Sequence, residues 1–131
     1  MSTEIATAQP ASINFYSSLG AESREAKMAT LKAITNAVPL AEHLGETLNL
    51  VHFVIEPAKV NEDDGSQKDV ARVILLTEDG RAFFSLAGGV MSSLRTFVAV
   101  MGEPGSWGEP LPVVGVEEKF GKNRIIKLQL A

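Results

Sequence analysis

The sequence predicts a mainly β domain with flanking helices. Three observations carry that expectation: extended runs rich in β-branched and aromatic residues, an Asp79-Gly80 pair between two of them, and a Gly88-Gly89 break that leads into an apolar series at helical spacing. Val70 to Thr77 is β-branched and apolar enough for a strand with at least one buried face. Asp-Gly signals a two-residue type I′ hairpin, because that turn needs positive φ at both central positions. Arg81 to Leu86 returns as the partner strand, carrying Phe83 and Phe84. Val90, Leu94, Phe97, Val98 and Met101 then recur on one face of a helix.

The remaining elements follow in chain order. Residues 1–20 read as a flexible tail rich in Ser, Thr, Ala and Gln, with Phe15 and Tyr16 placed to tack its end onto the domain. Ser23 is a suitable N-cap for a helix reaching about Asn36, with Met28, Leu31 and Ile34 as its inner face. Pro39 ends that helix, and Leu40 to Leu44 add a turn closed by Gly45. Thr47 to Val60 is a long strand whose broken alternation suits burial on both sides over part of its length, and Pro57 confines its far end to an edge or bend. Asn61 to Lys68 is a polar loop. Gly102 to Pro112 is a Pro/Gly-rich connection around Trp107. Pro112 to Glu117 and Arg124 to Leu130 are two further strands, joined through Glu118 to Asn123.

A chain of 131 residues suits a single domain over residues 21–131. It holds no cysteine, which removes disulfides and thiolate metal sites and suits a cytosolic setting. No basic segment followed by an apolar run opens the chain, and no apolar stretch reaches the roughly 18 residues of a membrane span, so neither secretion nor a membrane partner is expected. The net charge of −4 is unevenly spread. Residues 1–80 carry six basic and twelve acidic side chains, −6, whereas residues 81–131 carry six and four, +2. From Lys119 to Ala131 there are four basic residues and no acid, a local strip of the kind that contacts phosphate.

Catalysis finds no foothold. His43 and His52 lack the spacing of a zinc-binding helix, no G-x-S-x-G elbow occurs, and Asn61 to Gly65 lacks the phasing of a calcium loop. Gly88-Gly89 matches no phosphate-binding motif, so no cofactor and no metal are expected. Five strands with a helix between the third and fourth, plus an extra N-terminal helix, match the five-stranded OB-fold barrel, with a generic α+β sandwich as the alternative. That barrel binds oligonucleotides around strands two and three and through the loops joining strands one–two and four–five.

Further residues carry a resemblance. Glu25-Ala26-Lys27-Met28, Ala33 to Ala37, Leu44-Gly45-Glu46, Glu56-Pro57, Thr77-Glu78-Asp79-Gly80, Val90 to Leu94, Gly102-Glu103-Pro104 with Trp107, and a basic hairpin into Lys127-Leu128-Gln129-Leu130 stand in order along residues 21–131. Together they resemble the small single-stranded DNA-binding proteins of tailed bacteriophages. The resemblance implies a non-enzymatic OB-fold protein that coats displaced strands during phage replication in the cytoplasm of the bacterial host. It further implies single-stranded DNA as partner, and leaves room for replication proteins such as a DNA polymerase and for a homo-oligomer.

Sequence-tolerant binding of a single strand needs cations along the backbone and aromatic faces on which bases stack. The cations this suggests are Arg72, Arg81, Lys119, Lys122, Arg124 and Lys127; the aromatics are Phe83, two residues from Arg81, Phe120 inside the basic strip, and Trp107. A protein-interaction module, a small β-barrel adaptor with an incidental basic strip, is the competing reading.

Overall fold

The computed structural model describes residues 15–131. Its elements in order are β1 (Tyr16–Ser17), α1 (Arg24–Asn36), β2 (Val38–Pro39), β3 (Thr47–Asn61), β4 (Gln67–Thr77), β5 (Ala82–Ser85), α2 (Gly88–Met101), β6 (Leu111–Phe120) and β7 (Asn123–Leu130). Single 3₁₀ turns lie at Leu40–Glu42 and Pro104–Ser106. The strands form one curled sheet in the order β2-β5-β4-β3-β6-β7, with β1 added to β3. All these pairings are antiparallel except the short β2–β5 contact. The run β6-β3-β4-β5 is the fourth, first, second and third of the five long strands, which is Greek-key order.

The long β3 organises the sheet. Its first residues, Thr47 to Leu50, pair with β6; from Leu50, opposite Thr77, it pairs with β4 out to Asn61, with a register shift between Leu50 and His52. It is buried on both faces over Phe53 to Ile55, the part of its length where the alternation breaks. Phe53 and Ile55 enter the main core with Val73, Leu75, Phe83, Val90, Leu94, Val113 and Leu128. Val54 points the other way, into a smaller core with Ile74 and Ala33 under α1.

The β4–β5 hairpin forms where the Asp79-Gly80 pair predicts it, but its turn is one residue longer than the expected two-residue type I′ connection. Thr77 N–H donates to the Arg81 carbonyl (3.0 Å) and Gly80 N–H to the Thr77 carbonyl (3.0 Å), which leaves a three-residue connection. Gly80 takes φ +86°, so the glycine is needed, but as the left-handed residue that closes a three-residue loop.

The faces of α1 differ from expectation. Ser23 caps it as predicted, accepting from Ala26 N–H at 3.0 Å. Its docking face is a stripe of small residues: Thr30 and Ala33 are buried, Ala26, Ala29 and Ala37 half-buried, and Ile34 packs beside them. Met28 and Leu31 stay 53% and 57% exposed. Small side chains let the helix approach the sheet closely, and the Thr30 hydroxyl is matched by Ser17 Oγ at 2.8 Å.

The predicted tail over residues 1–20 is anchored at its end. Tyr16 and Ser17 pair with Ile55 and Val54, Ser18 bonds Phe53 through both its N–H and its hydroxyl, and the Tyr16 hydroxyl donates to Glu103 at 2.7 Å. Phe15 stays exposed, and residues 1–14 lie outside the described region.

Helix α2 closes the free side of β7. Ser93 Oγ accepts from Leu128 N–H (3.1 Å) and donates to the Gly89 carbonyl (2.8 Å), satisfying an edge donor. Gly89 permits this approach: a Cβ there would stand 2.4 Å from the Ile126 carbonyl oxygen. No helix among the described residues is long and apolar enough to cross a membrane.

Candidate nucleic-acid interface

The basic strip belongs to a β-hairpin rather than a loop. β6 continues to Phe120 and β7 begins at Asn123, so only Gly121 and Lys122 form the turn. Lys119 lies opposite Arg124, Phe120 opposite Asn123, Glu118 opposite Ile125 and Val116 opposite Lys127. Because side chains alternate along a strand, the strip divides. Lys119 and Arg124 share the face that begins with buried Gly115 and Leu128, while Phe120, Ile125 and Lys127 share the other.

Each face also carries one carboxylate. Arg124 holds Glu117 through Nε at 2.9 Å and through Nη2, and Lys127 Nζ holds Glu118. Lys119 and Lys122 have no carboxylate partner among the described residues. Phe120 is 55% exposed, beside that unpaired pair.

The β4–β5 region places its three predicted residues differently from one another. Phe83 is fully buried, 0% exposed, at the centre of the main core. Arg81 lies over its ring at 5.0 Å and His43 meets it edge-on at 4.9 Å, so no base reaches either face of the ring. The expected stacking role of Phe83 is therefore corrected. Residues of one strand alternate, and burial chose Phe83 for the interior and left Phe84 half-exposed on the α1 side.

Arg72 stacks on Phe84 at 4.5 Å while pairing with Glu56, directly opposite on β3, at 2.8 Å. Phe84 is thus a candidate that the choice of Phe83 passed over; only the strand pairing, which sets Phe84 opposite Ile74 and near Arg72, reveals it.

Arg81 is the most tightly held cation. It meets Glu46 at 2.6 Å and Asp79 at 2.8 Å. The guanidinium, and then His43, hold the Glu46 carboxyl below the usual carboxylate range. The Thr77 hydroxyl, followed by Arg81, does the same for Asp79. Glu46 first, and Asp79 after it, push Arg81 upward in turn.

Trp107 is half-buried against the main core, its Nε1 donating to the Gly102 carbonyl at 2.9 Å. One edge lines a shallow cleft of about 350 Å³ with Val51, His52, Glu78 and Pro110. His52 sits there at 2.9 Å from Ser18 Oγ, and burial holds its imidazole below the ordinary histidine value.

The hairpin thus brings together Lys119, Phe120, Lys122, Arg124 and Lys127, whereas Arg72 and Arg81 belong to two separate clusters on β4 and beside β5. Four of the six predicted cations are ion-paired, Arg72, Arg124 and Lys127 across neighbouring strands and Arg81 between a turn and the residue before β3, a feature hidden from any reading of consecutive residues. The exposed aromatic and the two unpaired lysines can serve a polyanion carrying flat rings; the paired cations can serve it after exchanging carboxylate for phosphate.

Comparison with known proteins agrees with this chemistry. The family model described as Phage Single-stranded DNA-binding protein matches residues 10–131. No curated protein and no solved structure matches the chain. The family match takes in nearly the whole sequence, every described element included, and so the chain belongs to the phage single-stranded DNA-binding protein family.

Proposed function

We propose that this protein coats and protects displaced DNA strands during phage replication, without catalysis and without sequence preference, in the cytoplasm of the bacterial host. The observation that carries the reading is the β6–β7 hairpin tip, where exposed Phe120 is flanked in the chain by Lys119 on the reverse face and Lys122 in the turn, neither with a carboxylate partner among the described residues. Phe120 offers a face to one base. Lys119 and Lys122 meet the adjoining phosphates, and Arg124, Lys127, Arg72 and Arg81 follow as their ion pairs open. Arg72 on Phe84 supplies a second flat surface, and Trp107 lies at the border of the path.

The Greek-key order supports an OB-fold assignment, since that barrel is five-stranded and partly open. β5 and β7 form the ends of the long-strand path and would be the seam. A DNA polymerase and further copies of the chain are the partners that such coating would bring alongside.

The test is a mobility shift, with tryptophan fluorescence, on a mixed-sequence oligomer of a few tens of nucleotides, single-stranded and duplex, at two salt concentrations. Binding to the single strand that weakens with salt by a slope of about −0.7 per neutralised phosphate is expected, with duplex far weaker. No shift at low salt would overturn the reading and favour the adaptor module instead.

A further inference from the structure

We propose that Glu117 and Glu118 set the affinity of the hairpin for its strand by occupying Arg124 and Lys127 as stand-ins for phosphate. The inference rests on the single-strand reading above and concerns how the same site is tuned. Every basic side chain on the two strands of the hairpin tip, Lys119 excepted, is held by a carboxylate of β6.

The placement is specific to each face. Glu117 lies two residues from Lys119 and diagonally across from Arg124; Glu118 lies two residues from Phe120 and diagonally across from Lys127. Residues two apart on a strand share a face, so Glu118 lies beside Phe120, where a phosphate flanking a base stacked there would pass, while Glu117 lies beside Lys119 on the reverse face of the same narrow hairpin, where a strand wrapping its tip would meet Arg124.

A strand arriving there meets two effects of the same sign. It must first open an exposed ion pair, and the released carboxylate then remains beside the new phosphate as a like charge. The benefit is order: the pairs hold two long side chains extended along the hairpin before DNA arrives. The cost is a lower affinity and a shallower salt dependence than the number of basic residues implies.

The experiment compares the full chain with E117Q, E118Q and the double variant, using Glu22→Gln as the control. Glu22 carries the same formal charge, is exposed, and stands before α1 with no cation partner among the described residues. Thermal melting checks that each variant is folded, and equilibrium titration with a fluorescently labelled oligodeoxythymidine is read over a salt series.

The double variant should bind about two- to tenfold more tightly at moderate salt, in the range expected for two exposed pairs. Its log–log salt slope should steepen by up to about 0.7 for each cation released. E22Q should stay within the error of the unmodified chain. Equal or weaker binding by the folded double variant would overturn the inference, as would an equal gain in E22Q, which would reduce the effect to overall charge. Failure of the unmodified chain to bind the oligomer would instead overturn the single-strand reading and this inference with it.

Discussion

Phe83 and Phe120 look alike as neighbours of basic residues, yet they have opposite fates. Phe83 fills the centre of the core, while Phe120 stands on a hairpin with more than half its surface open. Substitution should separate the two roles. Phe120→Ala is expected to weaken single-strand binding by about 1–3 kcal/mol, the value of one base–aromatic stack, with the melting temperature unchanged. Phe83→Ala should cost about 3–5 kcal/mol of folding stability through the cavity it leaves. Titration and urea unfolding of both variants would show it. Unchanged affinity in Phe120→Ala would remove that ring from the stacking site. Arg81, pinned by Glu46 and Asp79 over the Phe83 ring, contributes to this core as a lid before it contributes to any phosphate contact.

At the level of elements, the way helices meet the sheet decides what stays exposed. α1 docks through alanines and Thr30, so its larger apolar side chains Met28 and Leu31 face outward. α2 docks alongside β7 through Gly89 and Ser93. Gly89→Ala would drive a methyl group into the Ile126 carbonyl, lifting the helix and breaking the Ser93–Leu128 hydrogen bond. A loss on the order of 1–3 kcal/mol is expected by urea unfolding, in line with other overpacked sites. Gly88→Ala, whose new Cβ would meet nothing within 4 Å, is the control and should be neutral or slightly stabilising. Equal stability of the two variants would contradict the close approach of helix and strand.

At the scale of the whole molecule, a protein of net charge −4 still carries a hairpin with five of its aromatic and basic side chains together, two of its cations held by carboxylates of the same hairpin. Titration links charge to stability. Burial lowers the proton affinity of His52 below its ordinary value near 6.5, so the unfolded chain takes up the proton first and stability falls as pH drops below that value. Glu46 and Asp79, also shifted down, act in the same direction further into acid, below the ordinary carboxylate values.

At the alkaline end Tyr16 is pushed up to about 12, chiefly by burial and then by the Glu103 carboxylate. The unfolded phenol ionises first, near the ordinary tyrosine value of 10.0, so stability falls above that pH. Melting temperatures should therefore be flat near neutrality and decline from about pH 6.5 toward 5. His52→Asn should flatten that acid decline; parallel curves for the two proteins would show that His52 does not drive it.

The sequence by itself determined where the long strands run, where the helices begin, and which family the chain resembles, because period, caps and turn glycines are local signals. Ser23 as a cap, β3 buried on both faces, and the Val90 and Leu94 face of α2 were all legible in this way. Tertiary structure alone decided which of two adjacent phenylalanines turned inward, since a one-residue change of register inverts a strand. It also decided the face of α1, where close packing of small residues outweighed the burial of larger ones. Above all it decided the state of the cations. A carboxylate that neutralises a lysine or arginine across a sheet lies many residues away in the chain, and only the pairing of strands brings the two charges within reach.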